Sequence, residues 1–242
     1  MNILEKILNV KRQEIQQIKD FEFGEMAGQN RSLKDALSKP GISVIAEIKM
    51  KSPSEGEIFS YADPAQIAKG YESAGAAAIS VLTDQSFFGG SLDILKSVRD
   101  AVSIPVIRKD FIIDQKQISE TIHYNGDAFL LIADALDQDS LQQLMNIGEM
   151  AGLEFLVEYH AEKHAEFIFA LNPEIVGINC RNLKTMATDI TYFEKMISSL
   201  PSNSVKVAES GIHTSDDLEY VSDLGYDAAL IGTSLMKTGN PG

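Results

Sequence analysis

"ISVIAEIKMKSPSEG", residues 42–56, opens as a buried strand and closes as a loop, and its middle decides the fold. Ser43 to Lys49 is β-branched and apolar, yet Glu47 and Lys49 lie two apart and therefore share one face. Charged side chains are rarely buried unless they are paired. An acid and a base aimed the same way at the end of a core strand belong at the rim of a core, where a loop begins.

The same grammar repeats downstream. Short β-branched runs alternate with longer amphipathic segments, the signature of βα units and a parallel sheet. The expected strands are "SVIAEIK" from Ser43, "AAISVL" from Ala77, "IPVIRK" from Ile104 and "AFLLIA" from Ala128. Four more follow: "FLVEY" from Phe155, "IVGIN" from Ile175, "VKVAES" from Val205 and "AALIG" from Ala228. Helical patterns separate them. One runs from Asp63 as N-cap through Pro64 at the first helical position to Gly75 past the end. Another has Thr214 as cap and Asp217 in the capping-box position.

Eight such strands with their helices in about 200 residues is the size of a (β/α)₈ barrel. A doubly wound open sheet is the alternative, but neither G-x-G-x-x-G after the first strand nor G-x-x-x-x-G-K-[ST] anywhere is found. Only "SLMKTGNPG" follows the last strand, so the final helix is expected to be short or missing, baring the outer face of strands one and eight. Upstream, Ile3, Leu4, Ile7, Leu8, Ile15 and Ile18 recur at helical spacing, giving one amphipathic helix over the first 20 residues. "SLKDALS", residues 32–38, gives a second before Pro40-Gly41. Residues 1–242 thus read as one barrel domain, of which 1–41 are a helical extension.

A chain of 242 residues that is 44% hydrophobic can bury one large core. Its net charge of −14, from 35 acids against 21 bases, repels nucleic acid and anionic membranes, so neither is expected as a partner. The single Cys forms no internal disulfide and suits a reducing compartment. "MNILEKILNVKRQEI" has no apolar signal region, and no run of about 18 apolar residues follows. A cytoplasmic protein is expected, monomeric with weak oligomerisation left open. The sequon Asn30-Arg31-Ser32 is then a chance match.

In a barrel, chemistry sits at the C-terminal ends of the strands. Lys109 ends strand three, Glu158 lies near the end of strand five, Asn179 and Arg181 end strand six, and Glu209 ends strand seven. Alternation turns Glu47, Lys49, Lys109, Glu158 and Glu209 inward above Ile45, Ile107, Leu156 and Val207. A single strand-end charge usually caps a helix or faces water. A set of them converging is a proton-transfer site that takes an anionic small molecule through its cationic half.

"ESGI" (209–212) and "IGTSL" (231–235), after strands seven and eight, offer glycines and backbone N–H groups to a phosphate. "GGS" (89–91) reads as a turn and helix cap. His160 and His164 straddle a strand end with no third ligand near, which speaks against a metal. Cys180 turns outward toward the helices as a packed thiol. Phe87, Phe88 and Phe111 lie in or beside βα loops, where they could wall an aromatic substrate or pack the loops.

"IAEIKMKSPSEG", "SVLTDQSFFGGS", "PVIRKDFIID", "LVEYH", "GINCRNL", "AESGI" and "LIGTSLM" together resemble the indole-3-glycerol phosphate synthase family, lyases of tryptophan biosynthesis, over nearly the whole chain to about Lys237. The resemblance implies a phosphate-binding (β/α)₈ barrel, its helical extension over the site, and no metal or organic cofactor. The implied reaction closes the ring of 1-(2-carboxyphenylamino)-1-deoxyribulose 5-phosphate with loss of CO₂ and water. Lys109 would be the general acid, Glu158 the base, and Lys49 a binder of anionic groups that assists proton transfer. Glu47, Asn179 and Glu209 would orient these groups. Ser52, Arg181, Ser210, Gly211, Gly232 and Thr233 would hold the carboxylate or phosphate, and Pro53, Phe88, Phe111 and Leu131 would line the aromatic pocket. Met50 stands where many members carry a basic residue, and Cys180 where a small polar one is usual. The competing readings are an isomerase on a related phosphate-binding barrel, a non-catalytic scaffold, and an N-terminal helix that docks a partner.

Overall fold

The computed structural model describes residues 2–19, 21, 30–52, 56–57, 63–182 and 186–236, with Ser52 and Glu57 described by backbone alone. Eight strands form the barrel: β1 (Ser43–Ile48), β2 (Ala78–Leu82), β3 (Val106–Lys109), β4 (Ala128–Ile132), β5 (Glu154–Tyr159), β6 (Ile175–Asn179), β7 (Val205–Glu209) and β8 (Ala228–Ile231). Each pairs in parallel with its sequence neighbours, and β8 returns to β1 with Ser43 opposite Ala228 and Ala46 opposite Ile231. Closure removes every free edge, which an open sheet would have to protect.

Alternation divides the side chains into two cores. Ile45, Ile107, Leu130, Leu156, Val207 and Leu230 pack together inside the barrel. Ala46, Ile48, Ile79, Phe129, Leu131, Val157 and Ile178 face the surrounding helices. Each fully buried Leu, Ile or Val contributes about 1.5–3 kcal/mol relative to exposure. The helices begin where polar caps permit. Asp63 accepts from Ala65 N before α3 (Pro64–Ser73), and Thr214 and Asp217 bond reciprocally at the start of the helix Ser215–Asp223.

Two upstream helices close opposite ends of the barrel. Helix α2 (Leu33–Leu37) plugs the N-terminal mouth, where Leu33 and Leu37 are wholly buried beside Ala78, Ala128, Ile175 and Ala228, the residues that open their strands. Glu154 anchors it, its carboxylate accepting from Ser32 Oγ at 2.7 Å and Lys34 N at 2.8 Å. Helix α1 (Ile3–Ile15) lies at the C-terminal mouth, with Ile3, Leu4 and Ile7 lining the cavity there. It is shorter than the 20 residues its apolar spacing suggests. The last carbonyls are satisfied by three-residue turns, Gln17 N to Glu14 O and Ile18 N to Ile15 O, which end the helix.

After β8 comes a four-residue helix, Thr233–Met236; residues 237–242 lie outside the described set. The outer face expected to be bare is covered at Ala46, Ile48 and Ala229, all buried. Ala46 and Ile48 pack with Ile67, Ala68, Tyr71 and Met236, and the Tyr71 hydroxyl donates to Met236 Sδ at 3.2 Å. Among the described residues, no helix is long and apolar enough to cross a membrane.

Candidate active site

The strand-end charges converge. Glu47, Lys49, Lys109, Glu158, Asn179, Arg181 and Glu209 line one cavity at the C-terminal mouth. Lys109 Nζ stands between two carboxylates, 3.0 Å from Glu158 Oε2 and 2.9 Å from Glu209 Oε2. Lys49 Nζ is 2.8 Å from Glu47 Oε1. Asn179 donates from Nδ2 to Glu158 Oε1 at 2.9 Å and accepts from Arg181 N at 3.0 Å, so it fixes the acid and the following loop together. Arg181 Nη1 donates to Met186 O at 3.0 Å, folding residue 186 back over the cavity.

Two glycines make room for the acids. A Cβ at Gly177 would come within 2.3 Å of Glu209 Oε1, and one at Gly232 within 2.4 Å of Glu47 Oε1. Both carboxylates fill space that any larger residue on the neighbouring strand would take.

Burial and charge split the titration of these groups. Burial alone would pull the Lys109 ammonium down, but Glu158, Glu209 and Glu47 outweigh it and hold its pKa well above the ordinary lysine range. Burial would lift Glu158, but Lys109 and the Asn179 amide hold its carboxyl below the usual range, and so it is ionised. Glu47 is likewise held low against burial, chiefly by Lys49. Glu209 goes the other way, pushed up to about 8 by burial and by the Glu158 charge. Near neutral pH the site therefore holds a protonated lysine, an ionised acid and a neutral acid in contact. Glu209 Oε1 is buried without a hydrogen-bond partner among the described residues.

Around this cluster lie an apolar wall and a polar rim. Phe88 and Phe111, with ring centroids 6.2 Å apart, form the wall with Ile3, Leu4 and Ile7. Ser210, Gly211, Gly232 and Thr233 form the rim after β7 and β8. Ser210 and Gly211 both have positive φ, +71° and +73°; glycine adopts this freely, while Ser210 carries strain of the kind that collects at ligand sites. At Gly211 a Cβ would also meet Cys180 Sγ at 2.9 Å.

One expected position is corrected. Leu131 is fully buried on the helix side of β4, among Phe129 and Val157, and does not line the pocket. Strand alternation from Ala128 puts Leu130 and Ile132 inward instead, and these two line it. Pro53 and the Ser52 side chain lie outside the described residues. Cys180 is buried, its Sγ 3.3 Å from Ser210 O, and burial pushes its thiol up to about 11. His160 Nδ1 lies 2.8 Å from Asn179 O and His164 Nε2 lies 3.5 Å from Asp134 Oδ1, so the two rings serve separate partners. Met50 is partly buried and packs against the helix-side core.

Sequence reasoning missed the contribution of Ile3, Leu4, Ile7, Met186 and His213 to the cavity. The apolar stripe on the first helix carried the signal for the first three. It also contained a misfit, Lys11, placed one turn after Ile7.

A closed parallel barrel with facing acids and ammonium groups at its C-terminal mouth defines a (β/α)₈ barrel with its charges where enzymes of this fold place their sites. The chain belongs to the indole-3-glycerol phosphate synthase family: the family model "Indole-3-glycerol phosphate synthase" matches residues 4–241. An indole-3-glycerol phosphate synthase of Mycolicibacterium gilvum is 48% identical over 206 residues, covering 85% of this chain and 76% of the relative. One from Halalkalibacterium halodurans is 44% identical, covering 99% of this chain and 93% of the relative. Among solved structures, the N-acetylmannosamine-6-phosphate 2-epimerase from Clostridium perfringens matches with a TM-score of 0.62 at 13% identity, over 87% of this chain and 93% of that one. At that identity the likeness speaks for the barrel alone. Membership makes the chain a decarboxylating lyase of tryptophan biosynthesis.

Proposed function

We propose that the cavity closes the ring of 1-(2-carboxyphenylamino)-1-deoxyribulose 5-phosphate, with Lys109 as general acid and Glu158 as general base. The carrying observation is the Lys109 ammonium held at 3.0 Å from Glu158 and 2.9 Å from Glu209 in a buried site. When the ring carbon bearing the carboxylate attacks the ribulose carbonyl, negative charge gathers on oxygen. A cation that can release a proton there stabilises it and turns it into a hydroxyl. The bond from that ring carbon to its carboxylate then breaks and CO₂ leaves. Lys109, reprotonated from solvent, gives the second proton with which the hydroxyl departs as water, and Glu158 takes one from the neighbouring carbon as the double bond forms.

Lys49 and Arg181 meet the anionic groups, and Glu47, Asn179 and Glu209 orient the ammonium ions and substrate hydroxyls. The phosphate rests on the rim of Ser210, Gly211, Gly232 and Thr233, and the aromatic ring on Phe88 and Phe111. The single Cys and the acidic surface fit a cytoplasmic, monomeric, single-domain enzyme.

Lys109→Ala tests the assignment by indole fluorescence. Turnover should fall about 10²–10⁴-fold, while inorganic phosphate still inhibits residual activity, or binds by calorimetry, with unchanged affinity. A variant that retains turnover removes Lys109 from the chemistry.

A further inference from the structure

Beside the cavity, and sharing Asp110 with its lining, lies a second cluster of charges that the proposed reaction does not use. Its centre is Lys11, on α1. The side chain is only 5% exposed, and Nζ lies 2.9 Å from Asp84 Oδ2, 2.9 Å from Asp110 Oδ1 and 2.7 Å from Glu14 Oε2. Asp84 and Asp110 are themselves buried. Each acid has a second task. Asp84 Oδ1 caps α4 (Gln85–Phe88), accepting from Phe87 N at 2.6 Å and Phe88 N at 3.2 Å. Asp110 Oδ1 accepts from Phe111 N at 2.8 Å, and Asp110 directly follows Lys109. Its other oxygen takes Thr83 Oγ1 at 2.7 Å and Arg108 Nη2 at 3.2 Å.

One ammonium therefore touches the two acids that set the backbone at Phe88 and Phe111, the aromatic wall of the cavity. It comes from the helix whose Ile3, Leu4 and Ile7 complete that wall. An apolar residue at position 11 would suit the stripe of α1 equally well. A buried lysine persists there only if its partners compensate its desolvation.

We propose that Lys11 is a positioning residue: it docks the N-terminal helix onto Asp84 and Asp110, and so fixes the apolar half of the substrate pocket. The inference deepens the site assignment above and rests on it. Lys11 touches no reacting atom and acts through Phe88, Phe111 and the helix itself. The phosphate rim, built after β7 and β8, is independent of it. The protonation states agree with the geometry. Burial would lower the Lys11 ammonium and raise the Asp110 carboxyl. Instead Asp110 and Asp84 hold Lys11 above its ordinary range, and Arg108 with Lys11 draws Asp110 down to about 2.

Kinetics of the full chain carrying Lys11→Met, which keeps the apolar stem, test this. The Michaelis constant for the carboxyphenylamino substrate should rise about tenfold or more, the scale of one lost charge-assisted contact. The inhibition constant of inorganic phosphate should stay unchanged, and Lys11→Arg should recover most of the loss. A purely structural role predicts a smaller active fraction, with the Michaelis constant and the phosphate constant both as in the parent. That result overturns the proposal. Should Lys11→Met fail to fold, Asp84→Asn takes its place, since the amide oxygen still caps α4 while the ion pair is lost. It should raise the Michaelis constant in the same direction, and an unchanged value is equally fatal. Failure of the site assignment looks different: Lys109→Ala would then keep turnover, whatever Lys11 does.

Discussion

Glu209→Gln isolates the one acid of the site that sits on the protonated side of neutrality. The substitution keeps the shape and the oxygen that accepts from Lys109, and removes only the ability to ionise. In the parent, burial and the Glu158 charge push Glu209 up to about 8, from an ordinary value of 4.5. The folded state therefore holds this proton more tightly than the unfolded chain does. Its stabilisation is fully present below about pH 4.5 and is lost as pH rises through about 8. At about 1.4 kcal/mol per pH unit, the loss across that window amounts to a few kcal/mol. Urea titrations of parent and variant at pH 5, 6, 7 and 8 give the difference directly, because every other titrating group cancels to first order. The difference in unfolding free energy should shift steadily against the parent as pH rises. A matching alkaline limb near pH 8 should vanish from the variant's kcat profile, since an ionised Glu209 binds the Lys109 proton harder and repels an anionic substrate. A difference flat from pH 5 to 8 would mean that Glu209 is ionised throughout, and the division of roles between the two acids would fall.

Gly177→Ala places a methyl 2.3 Å from Glu209 Oε1, so the carboxyl must leave its 2.9 Å contact with Lys109. Turnover should drop about tenfold or more, with little change in circular dichroism, the cost of overpacking being ~1–3 kcal/mol; unchanged kcat would show the Glu209 contact to be dispensable. Leu37→Ala hollows the plug at the opposite mouth and should cost about 2–5 kcal/mol in urea unfolding. Below its transition it should leave kcat/KM untouched, and a kinetic defect there would link the two ends of the barrel.

The strands were legible because local preference and tertiary role agree in them. Residues 43–49, 105–109 and 154–159 are rich in β-branched or aromatic residues, alternate, and carry at or next to their ends the charges that the cavity collects. At Leu131 resemblance and alternation disagree: the resemblance implies a place in the pocket, whereas period-two counting along β4 puts Leu130 and Ile132 there. The end of α1 was illegible because the apolar spacing continues through Ile18 while the backbone turns away after Ile15. Lys11 was half legible. A charge on an apolar stripe announces a partner, but Asp84 and Asp110 follow the paired strands β2 and β3, and that α1 lies against them shows only in the fold. The direction of the Lys109 shift was out of reach for the same reason, since it depends on how many carboxylates fold against one ammonium.

The acidity of the chain and the anionic nature of the proposed substrate pose an apparent conflict that the site resolves locally. With a net charge of −14, the surface as a whole repels a phosphorylated carboxylate. Asp110 also lines the cavity, but its charge is met from behind by Lys11 and Arg108; counted as fully ionised, the remaining acids Glu47, Glu158 and Glu209 cancel Lys49, Lys109 and Arg181, leaving nothing to attract it. Glu209 changes the count. With its pKa pushed up to about 8, it is neutral at pH 7, and the cluster carries one positive charge in a buried cavity. There a single charge acts with far less screening than the acids outside. The crowding of acids around Lys109 thus keeps the lysine protonated and, by forcing one acid to stay neutral, makes the pocket cationic. Ionising Glu209 would undo the second effect and leave the first.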